Sequence, residues 1–377
     1  MSTNPPNKKI LFLFAHLHKG GMQRAVSNIS MALPNNFEQY IGYFGTENPG
    51  YAYRATQHCF ELPGNLNSGT LEKLCNLARR IYRLRKFVHQ YHIDVVISLG
   101  EASNIYSLIS RHGAKTIITS RVALNESLVG DGLVMKIYRR LVNLLYPHAD
   151  QIVAVSEELA KIMRTISQGR CDVRYIPNLY HTDDIKSKAR TALPEEVAFL
   201  ENKPFILNVG SLCYQKGQDE LLEIFSHINA QHSHVYLVIL GRGEWKFKLM
   251  QQADSLGVRR RVVFIDFDIN PYRYMARAQV FALTSRFEGF PNALVEAMVC
   301  GAPTVAFDCP TGPEEILGPD SQYGYLIRNR SIKKYVEAVC SLIDSESQRF
   351  SFMQKSICRS NEFAASAVIA RWNELLK

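Results

Sequence analysis

Thr284-Ser285-Arg286-Phe287-Glu288-Gly289-Phe290-Pro291-Asn292-Ala293-Leu294-Val295-Glu296-Ala297-Met298 leaves a short apolar run (Val280 to Leu283), crosses a polar loop and enters a helix. A continuous apolar run of this length suits a strand buried on both faces. Two carboxylates, Glu288 in the loop and Glu296 in the helix, flank a Gly-Phe-Pro-Asn turn. A helix N-terminus presents N–H groups without intrahelical partners and the positive end of a dipole, which suits a phosphate. Pro291 fits a first helical turn, where its missing N–H costs nothing. Strand, anion-friendly loop and helix make one unit of a doubly wound α/β sheet. The same residues also read as a plain connection with solvated acids, so the neighbouring chain decides.

Working outward, that unit recurs. Upstream lie strands at Phe205 to Val209, Val235 to Leu240 and Val262 to Ile265, alternating with helices at 217–230, 244–256 and 271–277. Downstream come the strand Thr304 to Phe307, a helix after Pro313, and a final helical segment Phe363 to Leu376. An earlier series begins with the apolar run 10–15, a Gly20-Gly21 turn and a helix from Met22. It continues through strands at Ile41 to Phe44, Val95 to Ser98, 116–119 and 151–156, with helices at 71–90, 102–111 and 133–146. Ser156 is placed to cap the helix after it. The polar stretch 181–203 reads as a linker with a short helix. Two βαβα series predict two facing, Rossmann-like doubly wound domains, 1–180 and 181–360, with 361–377 as a C-terminal helix packing toward the first.

The 377 residues exceed one ordinary core. At 46% apolar and 21% charged, the composition is that of a soluble globular protein. The net charge of +9 is uneven: residues 1–180 carry 21 Lys and Arg against 12 Asp and Glu, and the remainder balances. A basic half implies an anionic partner, yet neither a finger spacing nor an RNP-type aromatic motif points to nucleic acid. Eight scattered cysteines without a C-x-x-C pair fit reduced cytosolic thiols. Lys8-Lys9 before the apolar run mimics a signal peptide, but the run ends at His16 and reads as a first strand. No run reaches membrane-spanning length.

Three loops at strand C-termini carry the chemistry. Gly20-Gly21 lets backbone N–H groups approach an anion, without the full dinucleotide fingerprint. Gly210-Ser211-Leu212-Cys213-Tyr214-Gln215-Lys216-Gly217 places an ammonium just before a helix N-terminus. The Glu288 to Glu296 segment is the third. Together they suggest a nucleoside diphosphate clamped in an interdomain cleft.

With Gly241-Arg242-Gly243, Asn270-Pro271-Tyr272-Arg273-Tyr274-Met275, Cys300-Gly301-Ala302-Pro303 and the segment Cys309 to Leu317, the constellation resembles glycosyltransferase family 4, of the bacterial surface-polysaccharide type. The resemblance covers nearly the whole chain and implies a GT-B fold and a retaining mechanism. It makes Lys216 the phosphate-binding lysine, Glu288 the contact to the donor sugar, and Glu296 the holder of the ribose hydroxyls. The backbone of Phe290, Pro291 and Asn292 corresponds to the amide nest under the β-phosphate, Gly21 to the glycine facing the diphosphate, and the strand end at Asp266 to the base site. Many members have an arginine where this chain has Ser211, so Lys216, or Arg242 with it, must neutralise more of the phosphate.

The reaction implied moves a hexose or N-acetylhexosamine from a UDP-sugar to a lipid-linked or lipopolysaccharide or capsule glycan, forming an α-glycosidic bond. No cofactor is expected. Asp266-Phe267-Asp268 matches a D-x-D metal signature but reads as a turn and helix cap, so no metal requirement is expected. His16 and His18 read as structural. Arg121, after strand 116–119, is a candidate acceptor contact. The helix 71–90 sets Leu71, Leu74, Leu77, Ile81, Leu84 and Val88 against Arg79, Arg80 and Arg83. That pattern suits either packing on a sheet or docking to anionic lipid at the inner face of the cytoplasmic membrane. The principal alternative is a UDP-sugar epimerase of GT-B-like build. An NAD-dependent oxidoreductase lacks its fingerprint here, and a membrane-bound scaffold would leave Lys216 and Glu288 dispensable.

Overall fold

The computed structural model describes residues 8–14, 20–44, 50–60, 70–122 and 133–377. His16, His18 and the side chains of Leu71 and Leu74 fall outside the described residues. By packing, the chain divides into two units: Met1–Leu179 together with Val368–Lys377, and Tyr180–Ala367.

Unit 1 runs β1 (Lys8–Phe14), α1 (Gly21–Ala32), β2 (Phe37–Tyr43), β3 (Thr56–Cys59), α2 (Thr70–Tyr91), β4 (Val95–Leu99), α3 (Glu101–Ser110), β5 (Lys115–Ser120), α4 (Leu133–Leu145), β6 (Gln151–Ala154), α5 (Glu157–Ser167) and β7 (Asp172–Tyr175). Its strands form one parallel sheet in the order β3-β2-β1-β4-β5-β6-β7. Ile10 to Phe14 are at most 1% exposed because β1 is central and covered on both faces. Each such side chain contributes about 1.5–3 kcal/mol by burial. Ser156 caps α5, its hydroxyl accepting from the Leu159 N–H.

Unit 2 runs α6 (Thr182–Ala189), β8 (Phe205–Val209), α7 (Gln218–Gln231), β9 (Tyr236–Leu240), α8 (Lys246–Ser255), β10 (Val262–Ile265), α9 (Tyr272–Met275), β11 (Val280–Leu283), α10 (Asn292–Val299), β12 (Thr304–Phe307), α11 (Pro313–Leu317), β13 (Tyr325–Ile327), α12 (Ile332–Asp344) and α13 (Glu346–Ser360). Its parallel sheet has the order β10-β9-β8-β11-β12-β13. The last helix, α14 (Ala365–Leu376), belongs to unit 1 from Val368 onward. There Trp372 is 1% exposed, Lys8 Nζ donates to the Leu376 carbonyl at 2.9 Å, and Lys115 Nζ to that of Leu375 at 2.9 Å.

In each sheet the chain starts centrally, winds one way, then returns to the other side. The reversal lies between β1 and β4 in unit 1 and between β8 and β11 in unit 2. Loops at the carboxyl ends of two such strands diverge, leaving a crevice where ligands of open α/β sheets bind.

Candidate functional site

In unit 2, the strands on either side of the reversal point lead into the two loops singled out by sequence. After β8, the chain turns through a 3₁₀ turn at Tyr214–Lys216 and enters α7. After β11, residues 284–291 lead into α10. The two loops are laced together. The Arg286 N–H donates to the Gln215 carbonyl at 2.7 Å, and the Gln215 amide to the Phe287 carbonyl at 3.0 Å. The Thr284 hydroxyl donates to the Lys216 carbonyl at 3.1 Å. Gly217 makes this contact possible: at φ +63° a Cβ there would sit 2.2 Å from the Thr284 carbonyl oxygen.

The lacing brings Lys216 Nζ to 2.6 Å from Glu288 Oε1. The Ser285 hydroxyl donates to the same oxygen at 2.7 Å, and the Thr311 hydroxyl donates to the Glu288 carbonyl. The Lys216 side chain is 23% exposed and that of Glu288 7%. The buried carboxylate oxygen thus meets two hydrogen-bond donors, an ammonium and a hydroxyl, which offset the cost of taking it out of water. Nearby, burial and then the Glu288 charge push the Cys309 thiol up to about 12, so it stays a neutral thiol rather than a nucleophile.

α10 begins at Asn292, with neither a side-chain cap nor an acidic residue in its first turn. Its leading N–H groups and positive dipole end therefore have no anion built in from that turn. Pro291 occupies the cap position (φ −71°, ψ 95°) rather than the first turn expected from sequence. The Asn292 side-chain oxygen accepts from the Tyr180 hydroxyl at 2.6 Å, and the Phe290 ring meets Phe363 edge-on at 5.4 Å. Glu296, about one turn on from Asn292, is 2% exposed. Gly210 bonds the end of β9 through its N–H, Ser211 is exposed, and Arg242 is exposed with its carbonyl accepting from Leu212 N–H.

Asp266 and Asp268 each have a cation of their own. Lys246 Nζ lies 2.6 Å from Asp266, holding that carboxyl below its usual range, and Arg273 lies 2.5 Å from Asp268. Asp268 also accepts from the Asn270 N–H at 2.8 Å, a local turn. It does not cap a helix, since Pro271 precedes α9. Among the described residues no group of three His, Cys, Asp or Glu side chains is placed to hold a metal ion.

In unit 1, Gly20 is the cap residue of α1 and Gly21 its first, exposed residue. Arg121 is 8% exposed and donates to the Asn178 side chain at 2.7 Å, so it is a buried arginine and not a surface one. On α2, Arg79 and Arg83 are exposed. Arg80 departs from the docking expectation: it is half-buried, donates to the Tyr106 hydroxyl at 3.1 Å and lies 5.7 Å from the Phe44 ring centre. It packs its own domain. Its spacing foretold this, three residues after Leu77 and four before Leu84.

Sequence reading missed Ser285, Thr311, Arg286 and Arg330. Thr311 lay within the recognised Cys309 to Leu317 segment, but nothing in that pattern points its hydroxyl at Glu288. Arg330 gives no local signal.

Two parallel, doubly wound Rossmann-like sheets, one in each unit, are the architecture of GT-B glycosyltransferases. The family model "Glycosyltransferase Family 4" matches residues 19–184, and that for "Glycosyl transferases group 1" matches residues 189–357. The amylovoran biosynthesis glycosyltransferase AmsD of Erwinia amylovora is 32% identical over 98% of this chain and 99% of its own. The chain belongs to this glycosyltransferase family. A Campylobacter jejuni N-acetylgalactosamine-N,N'-diacetylbacillosaminyl-diphospho-undecaprenol 4-alpha-N-acetylgalactosaminyltransferase is 28% identical over 94% of both chains. The Anabaena protein Alr3699/HepE, solved with UDP and glucose, shares the fold at TM-score 0.79 and 18% identity, over 98% of this chain and 99% of that one.

Proposed function

We propose that the protein is a retaining glycosyltransferase that moves a hexose or N-acetylhexosamine from a UDP-sugar to a lipid-linked or lipopolysaccharide or capsule glycan. The observation that carries this reading is the Lys216 and Glu288 pair at the β8/β11 reversal point, beside the uncapped start of α10. As the sugar–phosphate bond lengthens, negative charge grows on the β-phosphate. Lys216 and the backbone N–H groups of Phe290 and Asn292, at the entry to α10, stabilise that charge, and being preorganised they do so without reorganising. Glu288, fixed by Ser285 and Thr311, takes sugar hydroxyls, and Glu296 the ribose hydroxyls. The departing phosphate oxygen accepts the acceptor's proton on the face it leaves, so configuration is retained without a protein base.

No metal is required in this scheme, because Lys246 and Arg273 already neutralise the two aspartates of the D-x-D sequence. Relatives named for transfer to undecaprenol diphosphate-linked and lipopolysaccharide acceptors support the acceptor class. No helix among the described residues is long and apolar enough to cross a membrane. Docking to the inner membrane face therefore falls to surfaces such as α2, with Arg79, Arg83, Arg85 and Lys86 exposed, and α4, where Ile137 is 51% and Leu144 62% exposed beside Lys136 and Arg140.

A panel of UDP-sugars with a polyprenyl-diphosphate-linked glycan, run with and without EDTA and with product anomers assigned by NMR, tests the reading. An α-linked product insensitive to EDTA is expected. Isomerisation of the UDP-sugar without acceptor would favour an epimerase instead.

A further inference from the structure

Behind the lysine and glutamate lies a second layer of charge. The Arg286 guanidinium donates to the Tyr214 carbonyl at 2.6 Å and reaches Asp219 Oδ2 at 2.8 Å and Glu220 Oε1 at 2.7 Å. Arg330, 110 residues from Glu220 in sequence, bonds the other oxygen, Glu220 Oε2, through Nε at 3.2 Å and Nη2 at 2.9 Å. Its fork also spans two consecutive carbonyls at the end of β11: Nη1 donates to Ser285 at 2.9 Å and Nη2 to Thr284 at 2.9 Å. The guanidinium stacks over the Phe307 ring at 4.5 Å. Arg330 has φ +47°, directly after Asn329 at φ +57°, so two successive left-handed residues present it. Such a backbone is costly for non-glycine residues and persists where its surroundings enforce it.

These contacts converge on the active pair. Thr284 holds the Lys216 carbonyl, and the Ser285 hydroxyl holds the Glu288 carboxylate. Glu220 lies in the first turn of α7, four residues after Lys216. We infer that Arg330, through Glu220 and the Thr284 and Ser285 carbonyls, is a positioning residue that sets the distance and angle between Lys216 and Glu288. Arg330 and Glu220 act through the two loops they bridge. Planarity is essential to the role, since a guanidinium meets a carboxylate and two carbonyls at once and a lysine ammonium does not reproduce that fork.

The inference rests on the transferase reading, so wild-type transfer and its loss in Lys216→Ala are established first; if wild type transfers no sugar, it is that reading which fails. Steady-state and single-turnover transfer are then measured for Arg330→Ala, Arg330→Lys, Lys216→Ala, the Arg330→Ala/Lys216→Ala double variant, and Arg328→Ala as a surface control. Misplacing the pair by an ångström lowers kcat by up to about 100-fold, with the donor KM little changed. Arg330→Lys stays folded and remains impaired. In the double variant, loss of Arg330 adds nothing to loss of Lys216. The inference is overturned if Arg330→Ala or Arg330→Lys keeps wild-type kcat, if the double variant is fully additive, or if Arg328→Ala loses kcat equally.

Discussion

Replacing Lys216 by Met leaves the Glu288 carboxylate, 7% exposed, with the Ser285 hydroxyl at 2.7 Å but without its ammonium. Breaking one side of a fully buried ion pair costs about 3–5 kcal/mol. The lysine side chain here is 23% exposed, so water offsets part of the loss. The expected destabilisation is about 2–3 kcal/mol, which lowers the melting temperature by about 5–10 °C for a unit of this size. Glu288→Gln removes the carboxylate charge but keeps an oxygen that accepts from Ser285, so its cost is about 1–2 kcal/mol. The double variant then recovers stability, because no charge is left stranded. A coupling of about 1 kcal/mol or more between the two changes is expected. Transfer behaves differently: all three variants lose activity, with Lys216→Met down by about 10²–10³ in kcat. Calorimetric melting of all four proteins, with transfer measured on the same samples, separates the two effects. Additive melting shifts would show that the ion pair is not the unit described. Recovery of activity along with stability in the double variant would show that Lys216 acts only as a structural counter-ion.

Gly217→Ala sets a Cβ at φ +63° and 2.2 Å from the Thr284 carbonyl oxygen; urea denaturation is expected to show at least about 1–3 kcal/mol lost. In unit 1, His112 Nδ1 accepts from the Ala114 N–H at 3.2 Å, and Nε2 meets the Ser107 hydroxyl at 3.2 Å, which fixes a neutral imidazole. Burial lowers its folded pKa to about 4, so its contribution to stability is complete above about 6.5 and lost as the pH falls toward about 4. The loss is about 3 kcal/mol, read from urea midpoints at a series of pH values, and His112→Asn flattens that profile. Arg79→Glu with Arg83→Glu is expected to abolish sedimentation with anionic vesicles while the melting temperature moves little; retained binding would remove α2 from the docking surface. Arg80→Glu, by contrast, is expected to lower stability, since its guanidinium packs against Tyr106 and Phe44.

The central strands were legible because β1 from Ile10 onward and all of β11 are apolar runs, and β8 is one but for Asn208, a signal that does not depend on tertiary context. Strands β3, β7 and β13 were not read from sequence. Each is a sheet edge of three or four residues, and polar positions such as Thr56, Gln57 and Asp172 give no period. Helices α12 and α13 were also not singled out. Lys216 and Glu288 were identified because each follows a strand that is itself legible. Their supports were not, because Ser285, Thr311 and Arg330 reach the pair through folds of the backbone. For Arg80 the packing side of the two readings of α2 is written in its helical phase, which matches Leu77 and Leu84, and a count of charge alone obscures it.

Trp372 and its neighbours in α14 complete unit 1, yet they are made only after the roughly 190 residues of unit 2. At ribosomal speeds of about 5–20 residues per second, that delay is about 10–40 s. During it, the newly made amino-terminal sheet emerges with the seat of an indole ring unfilled and Lys8 and Lys115 lacking their carbonyl acceptors. The nascent protein thus passes through a window in which its first half is assembled but not sealed, and chaperone capture or aggregation would act most strongly there.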